Sequence, residues 1–221
     1  MRKIIRGAIF ALLGGLILSA CSGSGAGTSN SGSSKECKIF GEVPAIYAEY
    51  ESEKDNLQGE DGSNEKIEAL KEEYKAKIEE AGKKLDGQPI EISGSENFNV
   101  EKPLTLSFKE FANNLNAMFN VDGRIVTVKE IPFEVTESWL NSHDLEYVYL
   151  PVMLAGFDDQ GVEVTTARIG TIKGLQVKEG KPVLPSGAAV ELQPVSYSVN
   201  DYDKYAKVAT VRIVIDESTL Q

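Results

Sequence analysis

The sequence predicts a mostly β protein with a helical appendage: an N-terminal helical hairpin followed by an antiparallel β-sandwich. Three observations carry that expectation. Apolar residues recur every three or four positions between residues 42 and 86; they alternate with polar ones between residues 88 and 216; and clusters of Gly, Asp and Pro cut this second region into short runs.

In the helical half, Val43, Ile46, Tyr47, Tyr50, Lys54 and Leu57 form one stripe, and Ile67, Leu70, Tyr74, Ile78, Ala81 and Leu85 form another. Between them the run QGEDGSN supplies helix breakers and an N-cap at Ser63 or Asn64. The second arm begins with acidic charge and ends in Lys83 and Lys84 before Gly87, which suits the helix dipole. Glu73 to Lys77 and Glu79 to Lys83 are i,i+4 pairs, so Glu72-Glu73 and Glu79-Glu80 read as a solvated face rather than as acid/base pairs. Both apolar stripes are narrow, and the hairpin is expected to pack on the C-terminal part or on a partner. Gly82, Asp86-Gly87 and Pro89 mark a change of period, which predicts that the two parts are separable, as 37–87 and 88–221.

In the second half, Leu104, Leu106 and Phe108 alternate with Thr105 and Ser107; Leu145, Tyr147 and Tyr149 lead into LPVMLAGF; Val211, Ile213 and Ile215 alternate near the end. Turns are expected at Asp122-Gly123, at Asp158 to Gly161, at Glu179-Gly180 and at Pro185-Ser186-Gly187. The stretch SFKEFANNLNAMF, residues 107 to 119, fits either a helix opened by a Ser107/Glu110 capping box or two strands joined at Asn113-Asn114. The strands are preferred because of the turn signal that follows.

The N-terminus has a different design. Arg2, Lys3 and Arg6 precede an uncharged run from Gly7 to Ala20, the layout of a signal peptide, residues 1–20. That run is shorter than the roughly 20 residues a membrane-spanning helix needs. It ends in Leu18-Ser19-Ala20-Cys21. This ending resembles the lipobox of bacterial lipoproteins, and the resemblance implies that Cys21 is lipidated and becomes the mature N-terminus. A thiolate suits that alkylation. Ser22 to Ser34 holds only Ser, Gly, Ala, Thr and Asn, a flexible composition, so residues 21–36 read as a lipidated tether. The resemblance places the protein in a bacterial cell envelope, attached to the membrane through lipid on Cys21. In a Gram-negative host, Ser22 resembles the neutral second residue of outer-membrane sorting.

Within the β half, YLPVMLAGFDDQGVEV, LPSGAAVEL and KVATVRIVI resemble, over about 70 residues, the immunoglobulin-like domains of cell-envelope lipoproteins. The resemblance implies an immunoglobulin-like β-sandwich and assigns no site residue.

The whole chain carries 23 Lys plus Arg and 34 Asp plus Glu. Removal of the signal takes away three of the basic residues and none of the acidic ones, leaving a formal charge of −14. Such a balance argues against a nucleic-acid partner and against a polybasic grip on lipid. With Cys21 acylated, Cys37 is left without an intrachain disulfide partner.

No catalytic set is legible. His143, the only histidine, adjoins Asp144 near Trp139, but no Gly-x-Ser-x-Gly elbow supplies a nucleophile. One histidine and one free cysteine do not make a closed zinc site. Asp158-Asp159 and Asn200, Asp201, Asp203 are oxygen-rich turns without the acidic loop pattern of a calcium site. The expectation is a protein that is not an enzyme, has no cofactor, and acts as a protein-binding or assembly module with an envelope protein partner. The alternative is a carbohydrate-binding adhesin using Trp139, Tyr147, Tyr149, Tyr202 and Tyr205 as a stacking platform, and an enzyme of unrecognised type ranks third.

Overall fold

A computed structural model describes residues 39–59, 62–198 and 200–221. The lipobox, Cys21, the tether and Cys37 lie outside the described residues. The described chain is mostly antiparallel β-sheet, accompanied by a few helices.

Helix α1 spans Val43–Leu57 and α2 spans Ser63–Lys83. Pro44 sits in the first turn of α1, where a missing N–H costs nothing. Val43, Tyr47 and Tyr50 of α1 and Leu70, Tyr74, Ile78 and Ala81 of α2 are buried, as the two apolar stripes anticipate. The Tyr50 and Tyr74 rings meet at 5.6 Å between centroids. The entry to α2 differs from expectation: Gly62, at φ 72°, makes the turn into the helix, and neither Ser63 nor Asn64 caps it. The i,i+4 pairs form on the exposed face, Lys77 to Glu73 at 2.8 Å and Lys83 to Glu79 at 2.5 Å.

Three sheets follow. The first has the order β1-β2-β3-β10, built from Gln88–Pro89, Phe98–Phe111, Ala117–Thr127 and Val195–Tyr197. The second has the order β11-β5-β6-β9, from Thr210–Ile215, Tyr149–Phe157, Glu163–Lys173 and Glu191–Leu192. The third, β4-β8-β7, is small: Ile131–Pro132, Lys181–Leu184 and Gln176–Lys178. Two short helices, α3 at Glu137–Ser142 and α4 at Tyr202–Tyr205, lie between the strands.

Residues 107 to 119 are strand, turn, strand. Ala112 N donates to Asn116 O at 2.9 Å, and Asn114 takes the left-handed conformation at φ 48°. Asp122-Gly123, however, is not a hairpin turn. Both residues lie inside β3, opposite a register shift between Lys102 and Thr105 of β2. Gly123 stands at φ 140°, where a Cβ would come within 2.7 Å of Leu104 Cδ2. The glycine therefore serves close strand approach at an irregularity, which in sequence looks like a turn. Glu179-Gly180 does form a two-residue hairpin loop, both residues at positive φ, between the paired Lys178 and Lys181. Leu145–Tyr147 departs from expectation as well: it is one 3-10 turn, capped by Asp144, and β5 begins only at Tyr149.

The core is continuous across residue 87. Buried residues of α1, α2 and both four-stranded sheets enter one hydrophobic cluster. The Tyr47 hydroxyl donates to Leu115 O and accepts from Ala117 N, satisfying backbone groups at the start of β3. Gly82 of α2 abuts the Phe108 ring so closely that a Cβ there would meet Cδ2 at 2.8 Å. Phe40, before α1, packs its ring on Phe119 of β3 and Tyr197 of β10 at 5.5 and 4.6 Å. The change of period at Gly82 to Pro89 thus marks a change of secondary structure without dividing the core, and residues 88–221 lack part of their own interior.

Candidate functional site

His143 is exposed. Its ring stacks on Trp139 at 4.2 Å and 14°, and its Nδ1 lies 2.8 Å from Trp139 O, so the imidazole closes the end of α3. The Asp144 carboxylate accepts from Glu146 N at 3.2 Å and opens the following 3-10 turn. Neighbours in sequence, the two side chains serve two separate helix ends.

The acidic turns are likewise occupied. Asp158 Oδ1 accepts from Gln160 N at 2.9 Å and Val162 N at 2.8 Å, while Gly161 supplies φ 79°. Asp201 pairs with Lys204 at 2.7 Å, and Asp203 faces Lys207 at 3.9 Å. Among the described residues no group of three His, Cys, Asp or Glu side chains is placed to hold a metal ion. A small apolar cleft of about 20 Å³ opens between Phe40, Pro44, Leu154, Ala167, Tyr205 and Val211. It has room for one water at most, and its only titratable side chain, Tyr205, is held above the ordinary phenol range by burial.

The five aromatics considered for a stacking platform do not converge. Trp139 is buried under His143, Tyr205 packs against Phe40 and Tyr197, and Tyr202 is half-buried. Tyr147 and Tyr149 alone of the five are exposed, at 63% and 47%. Between them stands Lys173, its Nζ 5.3 Å from the Tyr147 ring centroid and 5.6 Å from that of Tyr149.

This Tyr-Lys-Tyr cluster is held by ordinary sheet geometry. Tyr149 at the start of β5 and Lys173 at the end of β6 are direct cross-strand partners. The 3-10 turn carrying Tyr147 is tied down by Leu175 N to Leu145 O at 2.8 Å and by Gly174 N to Val148 O at 2.9 Å. A cation over exposed rings contributes about 0.5–1 kcal/mol to local order. The cluster offers two apolar ring faces and three ammonium donors, a combination suited to reversible contact. It contains neither a nucleophile paired with a base nor an acid paired with a base. Sequence reasoning picked out both tyrosines but missed Lys173, whose partner lies 24 positions earlier in the chain; only the β5–β6 register unites them.

No family model, curated protein or solved structure matches this chain. Among the described residues, no helix is long and apolar enough to cross a membrane.

Proposed function

We propose that this chain is a lipid-anchored lipoprotein of the bacterial cell envelope whose folded part is a non-enzymatic protein-binding or assembly module. The observation that carries the reading is the sequence Leu18-Ser19-Ala20-Cys21 at the end of an uncharged run and ahead of a Ser/Gly tether. The lipid on Cys21 would hold the membrane, and the tether would let the acidic body reach an envelope protein. In this reading α1 and α2 act as a helical hairpin laid on an immunoglobulin-like sandwich of the two four-stranded sheets. Several buried acyl chains, at about 0.8 kcal/mol per CH₂, make a stable anchor where one chain is marginal.

The test is fractionation of Cys21→Ala. The variant is expected to leave the membrane fraction or to accumulate as uncut precursor; normal processing with retention in the membrane would contradict the anchor. Crosslinking in intact cells then reads the second half of the proposal, the partner.

A second reading is favoured by one observation, the exposure of Tyr147 and Tyr149 around Lys173. The rings could stack on a sugar, which would make the protein a carbohydrate-binding adhesin. Loss of glycan-array binding in Tyr147→Ala/Tyr149→Ala would support it, and unchanged binding, or none in the parent, would remove it.

A further inference from the structure

Among the described residues, six strands end the three sheets, and five of them are blunted. β1 and β4 have two residues each and include Pro89 and Pro132; β9 has two residues, and β7 and β10 have three. Short edges and edge prolines are how sheets avoid pairing with other chains. β11 differs. It runs six residues, Thr-Val-Arg-Ile-Val-Ile, pairs with β5 without a register shift, has no proline and carries one charge.

The groups that β11 turns outward follow from its register. Asp216 N donates to Pro151 O at 2.9 Å. Stepping back by twos, Val214 and Arg212 also turn their backbone groups toward β5. Val211, Ile213 and Ile215 therefore turn theirs away. On that outer side the Val211 carbonyl is occupied, accepting from Ser93 N at 3.1 Å and Ser93 Oγ at 2.8 Å. Beyond Asp216 the chain turns into the 3-10 helix Glu217–Leu220. Among the described residues, none is bonded to Ile213 or Ile215 on this side. Among the described residues, the window left open is 212–216, Arg-Ile-Val-Ile-Asp.

That window is self-complementary. Arg212 and Asp216 stand at its two ends, isoleucines flank its centre, and Val214 is the centre. We infer that the open edge of β11 pairs antiparallel with the same edge of a second copy of this chain, about a two-fold axis through Val214. In that register Ile213 lies opposite Ile215 of the second copy, so four backbone hydrogen bonds form, and Arg212 lies opposite Asp216 twice over. Shifting the axis to Ile213 would call on the Val211 carbonyl that Ser93 already holds, and shifting it to Ile215 would call on Glu217, which has left the strand. Arg212 lies over the Phe157 ring of β5, its guanidinium carbon 4.8 Å from the centroid on the solvent side of the sheet, so the side chain would leave that ring and swing to the edge when it meets Asp216 of the second copy. Asp216 accepts from Ser218 N at 2.9 Å and is also faced by the Ser218 hydroxyl and the Arg168 guanidinium of β6; held ionised by these groups, the carboxylate is the anionic partner that Arg212 of the second copy would reach. The protein would then assemble by β-augmentation with itself.

This deepens the assembly reading above and rests on it for biological sense; fractionation of Cys21→Ala tests the anchor independently of strand pairing. The experiment uses the full chain in whichever fraction holds it, in a Cys37→Ser background, with the parent as baseline. Val214 would be a non-hydrogen-bonded pair with itself, Cα atoms about 4.5 Å apart, within the range a disulfide spans. Val214→Cys is expected to give a reducible dimer under mild oxidation, at several times the yield of Val177→Cys on the exposed edge of β7. Adding Arg212→Asp should lower that yield at least threefold. Sedimentation of the detergent-solubilised parent against Arg212→Asp gives a second reading without a new cysteine: a dimer is expected for the parent and a monomer for the variant. Equal yields at positions 214 and 177, capture of a different protein at position 214, or a monomeric parent would each overturn the inference.

Discussion

Tyr47 of α1 and Ala117 of β3 are joined through the tyrosine hydroxyl, which accepts the Ala117 N–H at 3.2 Å while donating to the Leu115 carbonyl two residues earlier. Seventy positions apart, the two residues make the first helix part of the sheet's hydrogen-bonding scheme. Tyr47→Phe removes the hydroxyl and leaves two buried backbone groups without a partner. The expected loss is roughly 1–3 kcal/mol of unfolding free energy in urea titration, with the m-value unchanged. A variant as stable as the parent would show that this bond contributes nothing.

The same joint decides what truncation does. Without residues 37–87 the first sheet loses Tyr47, Tyr74, Ile78 and Ala81 from its core, together with the Phe40 ring. Residues 88–221 expressed alone are expected to aggregate or to lack a cooperative melt, contrary to what the change of sequence period suggests. A soluble fragment with a sharp melting transition would restore the two-part description.

Alkaline pH should unfold the protein through its buried phenols. Burial holds the Tyr47 and Tyr197 hydroxyls well above the ordinary phenol value of 10.0. Below that value both the folded and the unfolded state keep the proton, and the stabilisation is fully present. Above it the unfolded chain releases protons that the folded chain retains, so stability falls as pH rises toward the folded-state values. Melting temperature followed from pH 9 to pH 12 should drop, and phenolate absorbance should appear in step with unfolding for these two residues. Full tyrosine ionisation in a still-folded protein would contradict this.

How much was legible follows from which residues carry local signals. The stripes through Tyr47, Tyr50, Tyr74 and Ile78 were readable because a helix face repeats every three to four residues. Val211 and Ile213 were readable because a half-buried strand alternates. Asn113-Asn114 was readable as a turn, whereas Asp122-Gly123 misled, because a glycine at a strand irregularity and a glycine in a hairpin leave the same mark. Burial of Trp139 and the partial burial of Tyr205 were not legible, since aromatic residues have no fixed side of the surface. Lys173 needed the β5–β6 register, and the outward carbonyls and N–H groups of β11 needed the sheet order.

Divalent metal should have little effect on the folded part. Asp158, Asp201 and Asp203 already cap turns or pair with lysines, and binding to one state stabilises it only in proportion to ligand over Kd. Millimolar calcium or a chelator is expected to move the melting temperature by no more than about two degrees; a shift of many degrees would show that the acidic turns do hold an ion.

Whether Cys21 carries lipid is decided by intact mass spectrometry of the purified membrane-associated protein. The lipid-anchored protein is expected to begin at Cys21 and to carry acyl mass on its N-terminal peptide. A mature chain that begins elsewhere, or an unmodified thiol at Cys21, would contradict it.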